Sequence, residues 1–137
     1  LATLTPADAA PIEVRTEPLA LHTQDAAVRQ VGSLVYRGGL VLASPEAAFG
    51  GFSALGVSAD GRRLIAIGDR GRRLFAYLIY NENGDLAGLH RPELDSLAGL
   101  DGQPLEAKSE SDAEAMSPGV EGEIIVAFER RHRLWRY

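Results

Sequence analysis

The stretch DRGRRLFAY, residues 69–77, returns as ERRHRLWRY at residues 129–137. An acid, an arginine, two variable residues, Arg, Leu, an aromatic, one variable residue and Tyr occur in both, at an offset of 60. Upstream, SALGVSADG at 53–61 aligns with EAMSPGVEG at 114–122 at an offset of 61, so one residue is lost between the two matches. Each copy reads as strand, turn, strand, acid-arginine turn, strand. With a fourth strand after Asn83-Gly84 in the first copy, such a unit is how a propeller blade looks in sequence, although the spacing exceeds the ~40–50 residues of common blade repeats. The alignment predicts neighbouring antiparallel meanders with Leu74 on Leu134, Phe75 on Trp135 and Tyr77 on Tyr137.

Working outward, the texture stays that of short strands. Asp60-Gly61 and Asn83-Gly84 stand between apolar runs, a strong hairpin signal. GSLVYRGGLVLAS, from residue 32, is apolar and β-branched with a Gly38-Gly39 break, which suits a strand pair or a bulged strand. Residues 92–110 form a polar connection that accounts for the long spacing, with a helical turn expected at Pro92–Leu97. Residues 1–30 carry three prolines and read as an irregular arm with one helical turn near Asp25–Val31. The class is all-β, and residues 31–137 are expected to form an incomplete propeller domain. Propellers take about four to eight blades, whereas this sequence supplies one full unit and three strands of another. The expectation is an N-terminal portion of a larger propeller, completed by more chain or by a partner chain, with a strand in 31–43 closing the ring.

Bulk properties narrow the function classes. The chain has 137 residues and a formal net charge of −5, which argues against a general nucleic-acid binder. There is no cysteine, so disulfides and thiolate metal sites are excluded. No apolar run approaches the ~18 residues of a membrane span. The single methionine is Met116, so residue 1 is not a translation start. The Pro/Ala-rich opening LATLTPADAAPIEV resembles the segment just after a cleaved export signal, and the expected location is periplasmic or secreted.

Candidate chemistry gathers around SDAEAMSP, residues 111–118. In an extended segment Asp112 and Glu114 point to one side, and they repel unless a cation, an arginine or water separates them; the alternative reading is a solvated loop end. Glu114 takes the repeat position of Ser53, at the start of the innermost strand, which lines the channel in a propeller. Asp69 and Glu129 end corresponding strands. Each is either an oxygen ligand for a hard cation or the partner of the arginine next to it, Arg70 or Arg130. GGFSALG is not a nucleophile elbow, because Leu55 stands where that motif needs glycine. NENGD lacks the later bidentate Glu of a calcium loop and reads as a hairpin.

RGGLVLASPEAAFGGFSALGVSADGRRLIAIGDRGRRLFAYL, followed by SDAEAM and IIVAFERRHRLWRY, resembles the phytase-like, esterase-like β-propeller domain of exported bacterial proteins. The resemblance covers residues 31–137 and keeps the order of the motifs. Ala54, Gly68 and Ala115 depart from it, each a small residue for another. It implies a propeller about twice this length or more, acting on a small-molecule phosphate or carboxylic ester with calcium as cofactor. The implied metal ligands are Asp112, Glu114, Asp69 and Glu129. The catalytic candidates are Glu114, Arg130 and His132, and the substrate-binding candidates are Ser53 and Arg70, since ester chemistry needs cations on developing charge. His132 is equally readable as a solvated turn residue. The alternative function is a non-catalytic propeller that binds a ligand or partner.

Overall fold

The computed structural model describes residues 9–118 and 123–137; the part of the upstream match at 119–122 lies outside them. The first repeated unit is an antiparallel meander of four strands. In chain order they are β6 (Phe52–Val57), β7 (Arg63–Gly68), β8 (Arg72–Tyr80) and β9 (Leu86–Ser96). Asp60-Gly61 and Asn83-Gly84 fall in its hairpin turns, as expected. β7 is paired on both edges, and LIAIG is apolar on both faces: Ala66 joins one core cluster and Ile67 the other. The second unit is β10 (Ala113–Pro118), β11 (Ile124–Phe128) and β12 (Arg133–Arg136), again antiparallel in order. β10 packs against β6 and β7, so the inner strands of two blades lie side by side. Gly56 permits this approach, because a Cβ there would meet Met116 Cε at 2.8 Å.

The inner strands share a bulge. Phe52 pairs with Gly68 and Ala54 with Ile67, which leaves Ser53 as the extra residue; Ala113 pairs with Phe128 and Ala115 with Ala127, which leaves Glu114. The equivalence of Ser53 and Glu114 expected from the repeat therefore holds in the backbone. The expected equivalence of the third strands fails by one residue. Leu74 pairs with Ala66, and the residue paired with Val126, the counterpart of Ala66, is Trp135. Leu74 thus corresponds to Trp135 and not to Leu134. The cause is turn length. Asp69–Gly71 joins β7 to β8 with three residues, whereas Glu129–His132 joins β11 to β12 with four. A one-residue shift turns every side chain to the other face. Leu74 is 1% exposed and Leu134 is 71% exposed.

Three further expectations are corrected. Pro92–Leu97 is no helical turn, because β9 runs through Ser96. Pro92 is tolerated there by a bulge: Phe75 pairs with Glu93 and Tyr77 with His90, and Arg91 adopts a φ of 51°. The arm is not irregular throughout. Within it lie β1 (Ala10–Pro11), which extends the first sheet at β9, and β2 (Arg15–Pro18). Near Asp25 the chain makes one hydrogen-bonded turn, Val28 N to Asp25 O at 3.2 Å, and enters β3 (Gln30–Val31) instead of a helix. The region 31–43 splits in two. β3 pairs with β4 (Leu34–Val35), and β5 (Leu40–Ala43) pairs with β2. β2 of the arm thus lies along one edge of β5.

The core has two parts. One lies between the units, where Ile67, Leu97, Leu105, Ala113, Val126 and Phe128 meet with Trp135 and Tyr137 against them. The other lies on the far face of the first sheet, where Ile12, Phe49 and Phe52 cover Ala66, Leu74 and Leu94. Residues 97–111 cross from the outermost strand of the first unit to the innermost strand of the second. They are pinched by Leu105 N donating to Leu97 O at 2.9 Å, and they end in the one-turn helix α1 (Lys108–Ser111). No helix among the described residues is long and apolar enough to cross a membrane.

Candidate functional site

Strand alternation brings the starts of β6 and β10, the two acid-arginine turns and α1 to one end of the meanders. Asp112 precedes β10 at the place that Gly51 holds before β6. Asp69 N donates to Gly51 O and Glu129 N to Asp112 O, each at 2.8 Å. Asp112 is 3% exposed, and its charge is answered twice. Lys108 Nζ donates to Oδ1 at 2.5 Å, and Arg130 Nε donates to Oδ2 at 2.7 Å. These hydrogen bonds, Lys108 first, hold the Asp112 carboxyl below the ordinary carboxylate range, against the opposing effect of desolvation.

Lys108 bridges the two units. Besides Asp112 it donates to the Asp69 backbone carbonyl at 2.8 Å and to Asp69 Oδ2 at 2.9 Å. Asp112 and then Asp69 raise the pKa of its ammonium. The expected pairing of each acid with the arginine after it is therefore corrected. Asp69 is held by Lys108, and Arg130 turns from its neighbour Glu129 to Asp112. Arg130 does so from a left-handed φ of 53°, a conformation non-glycine residues seldom adopt.

Of the expected metal ligands, the structure brings three together. Carboxylate oxygens of Asp112, Glu114 and Glu129 lie within 4.8 Å of one another. Period-two alternation is not what unites them, since Asp112 is buried before the strand begins and Glu114 is exposed on the bulge. Glu114 and Glu129 make no ion pair among the described residues, so these two carboxylates are open to a hard cation, with Asp112 as a third. Asp69 stands outside the trio. Ser53 is exposed, with only a long contact of 3.5 Å from its Oγ to Gly51 O. His132 is exposed in the second turn, and it has no hydrogen-bond partner among the described residues.

Beside this cluster lies a cleft of about 1160 Å³ between the Glu46–Gly51 loop, the first acid-arginine turn and residues 104–111. Glu46, Asp69, Arg70, Arg72, Glu106 and Lys108 supply its charged walls. Arg72 is tied to Ser96. Arg70 makes no hydrogen bond or ion pair among the described residues. Ser111 also lines the cleft, 1% exposed, and its Oγ lacks a hydrogen-bond partner. The candidates thus fall into a cleft side, Asp69 and Arg70, and a rim side, Asp112, Glu114, Glu129 and Arg130. Lys108 is the link between them. Sequence reasoning missed it, although one signal was present: it is the only lysine in the chain, four residues before Asp112.

Residues 47–137 match the family model described as "Phytase-like: Esterase-like activity of phytase". Comparison with curated proteins and with solved structures gave no match.

Proposed function

Because the chain belongs to the phytase-like family, we propose that it is an exported hydrolase of small phosphate or carboxylic esters, working in the cleft at the blade tops. The observation that carries this reading is Arg70, a guanidinium facing the cleft without a partner among the described residues. Its fork suits an anionic ester oxygen in bidentate contact. Lys108, a second cation lining the cleft, favours negative charge as it develops in the transition state. Asp69 is anchored through Oδ2, and its other carboxylate oxygen is available to take the proton of an attacking water. The water oxygen adds to phosphorus or to the carbonyl carbon, the bond to the alcohol oxygen breaks, and the alcohol leaves with a proton from solvent.

Calcium belongs to this reading at the rim, where Glu114 and Glu129, with Asp112, offer the hard oxygen donors it takes. Bound there, it supplies neutralising charge for a phosphoryl or acyl oxygen. Glu114 is the second candidate base, and His132, in the adjoining turn, is a proton donor of suitable type. Arg130 is spent on Asp112 and serves to position it.

Hydrolysis of a chromogenic phosphomonoester and a chromogenic carboxylic ester, with and without chelator, tests the reading. Arg70→Ala should raise KM, and Asp69→Asn should lower kcat by about a hundredfold or more, the usual contribution of a general base. Glu114→Gln should weaken calcium binding. Absence of turnover in the wild type, or rates indifferent to both cleft substitutions, would overturn it. A non-catalytic binding propeller is the second reading. It is favoured by Asp112, whose Oδ1 is held by Lys108 and whose Oδ2 is held by Arg130, and ester binding without turnover would identify it.

A further inference from the structure

We infer that Lys108 is a tethered cation, occupying a position that a hard metal ion would otherwise fill between the two blades. Its ammonium meets three oxygens: the Asp69 backbone carbonyl, Asp69 Oδ2 and Asp112 Oδ1, at 2.8, 2.9 and 2.5 Å. A lysine ammonium has three donors, so all three are used. Two carboxylates and a main-chain carbonyl converging on one point are the ligand types of a calcium site, which is completed by water and needs no strict geometry. One of these carboxylates, Asp112, is almost wholly buried. Arg130 answers its Oδ2, and leaving the buried Oδ1 unpaired is unfavourable.

Everything around the position agrees with a compact charge. The chain uses arginine at thirteen of its fourteen basic positions and lysine only here. A planar guanidinium suits flat two-oxygen acceptors, whereas an ammonium behaves as a point charge with rotatable donors. Arg130 illustrates the contrast, reaching Asp112 from the other side with its Nε on Oδ2. The cage also draws on both units, Asp69 from the turn after β7 and Asp112 from the approach to β10, so whatever cation sits there ties blade to blade. With Lys108 in place, the positive charge at that position is fixed at one and does not depend on dissolved metal. Calcium is then confined to the Glu114–Glu129 side of Asp112.

The inference concerns binding and not turnover, so its test is independent of the hydrolase reading. Lys108→Met removes the charge and keeps an unbranched chain. Calcium titration of the whole chain by calorimetry should show a binding event absent from the wild type, or an affinity at least about tenfold higher, as expected when a unit positive charge leaves the position. Adding Asp69→Asn in the Lys108→Met background should abolish the gain, while Glu129→Gln in that background should retain it. If Lys108→Met is too unstable for calorimetry, its unfolding midpoint should rise with millimolar calcium by several degrees more than that of the wild type. No gain in affinity and no rescue of stability by calcium would overturn the proposal. So would a gain that survives Asp69→Asn.

Discussion

At the scale of single residues, Asp112 shows how a sequence position acquires a role its neighbours do not announce. Its carboxyl is buried and held below the ordinary range by Lys108 and Arg130. The folded state therefore keeps it ionised to lower pH than the unfolded chain does. Over that window the unfolded state binds more protons, so stability rises with pH. The contribution is present above the unfolded value near 3.8 and disappears as pH falls through the folded value. Asp112→Asn should lower the melting temperature at neutral pH and flatten the fall of Tm below about pH 4; an undiminished acid slope in the variant would assign it to other carboxylates. The acidity of this locus was legible in SDAEAMSP. The cations that answer it were not, because Lys108 reaches it through one turn of α1 and Arg130 through a four-residue turn after a separate strand.

At the scale of elements, turn chemistry decides which repeated positions are truly equivalent. Gly71 gives the first acid-arginine turn its three-residue form, with φ of 65°, and packs so closely on α1 that a Cβ would stand 2.9 Å from Ser111 Cβ. The second turn has one more residue and places Arg130 in the left-handed region instead. Its strand consequently enters one residue later, with Trp135 inward beside Phe128 at 5.5 Å between ring centroids. Two variants measure this. Leu74→Ala should cost about 2–5 kcal/mol, as buried leucines do. Leu134→Ala should change stability by less than about 0.5 kcal/mol, as exposed positions do. Equal losses in denaturant titrations would mean that the Leu74–Leu134 alignment governs packing after all. The existence of β6, β7, β8, β10, β11 and β12 was readable from alternation and turn residues. The strands in the arm and the full length of β9 were not, since prolines at 11, 18 and 92 argue locally against strands, and pairing at an edge or a bulge makes room for them.

At the scale of the whole molecule, the two units are joined by a shared core, by Lys108 and by the 97–111 crossing. Tyr137 reports on that junction. It packs on the core between the units, its hydroxyl donates to Ala98 O at 3.1 Å, and burial pushes its pKa up to about 12. A phenol with a raised folded value binds its proton more tightly in the native state. Its stabilising contribution is thus full below the unfolded value of about 10 and is lost as pH rises toward 12. Alkaline difference spectra of wild type and Tyr137→Phe should show one phenolate appearing late, near pH 12. If the transition lost in Tyr137→Phe instead lay near pH 10, the crossing would not cover this residue.

Local chemistry in the sequence determined the all-β class, the repeated unit, the hairpin turns and the acidic end of the inner strand. Each of these is written in residues close together along the chain: glycines that permit turns, apolar alternation that permits strands, and carboxylates with no apolar reason to be there. Tertiary structure alone decided which oxygen meets which cation, which leucine is buried and what the arm does. Those outcomes depend on the register between distant strands and on where α1 lands. A single extra residue in the Glu129–His132 turn is enough to exchange inside for outside along β12, because the side chains of a strand alternate faces with a period of two.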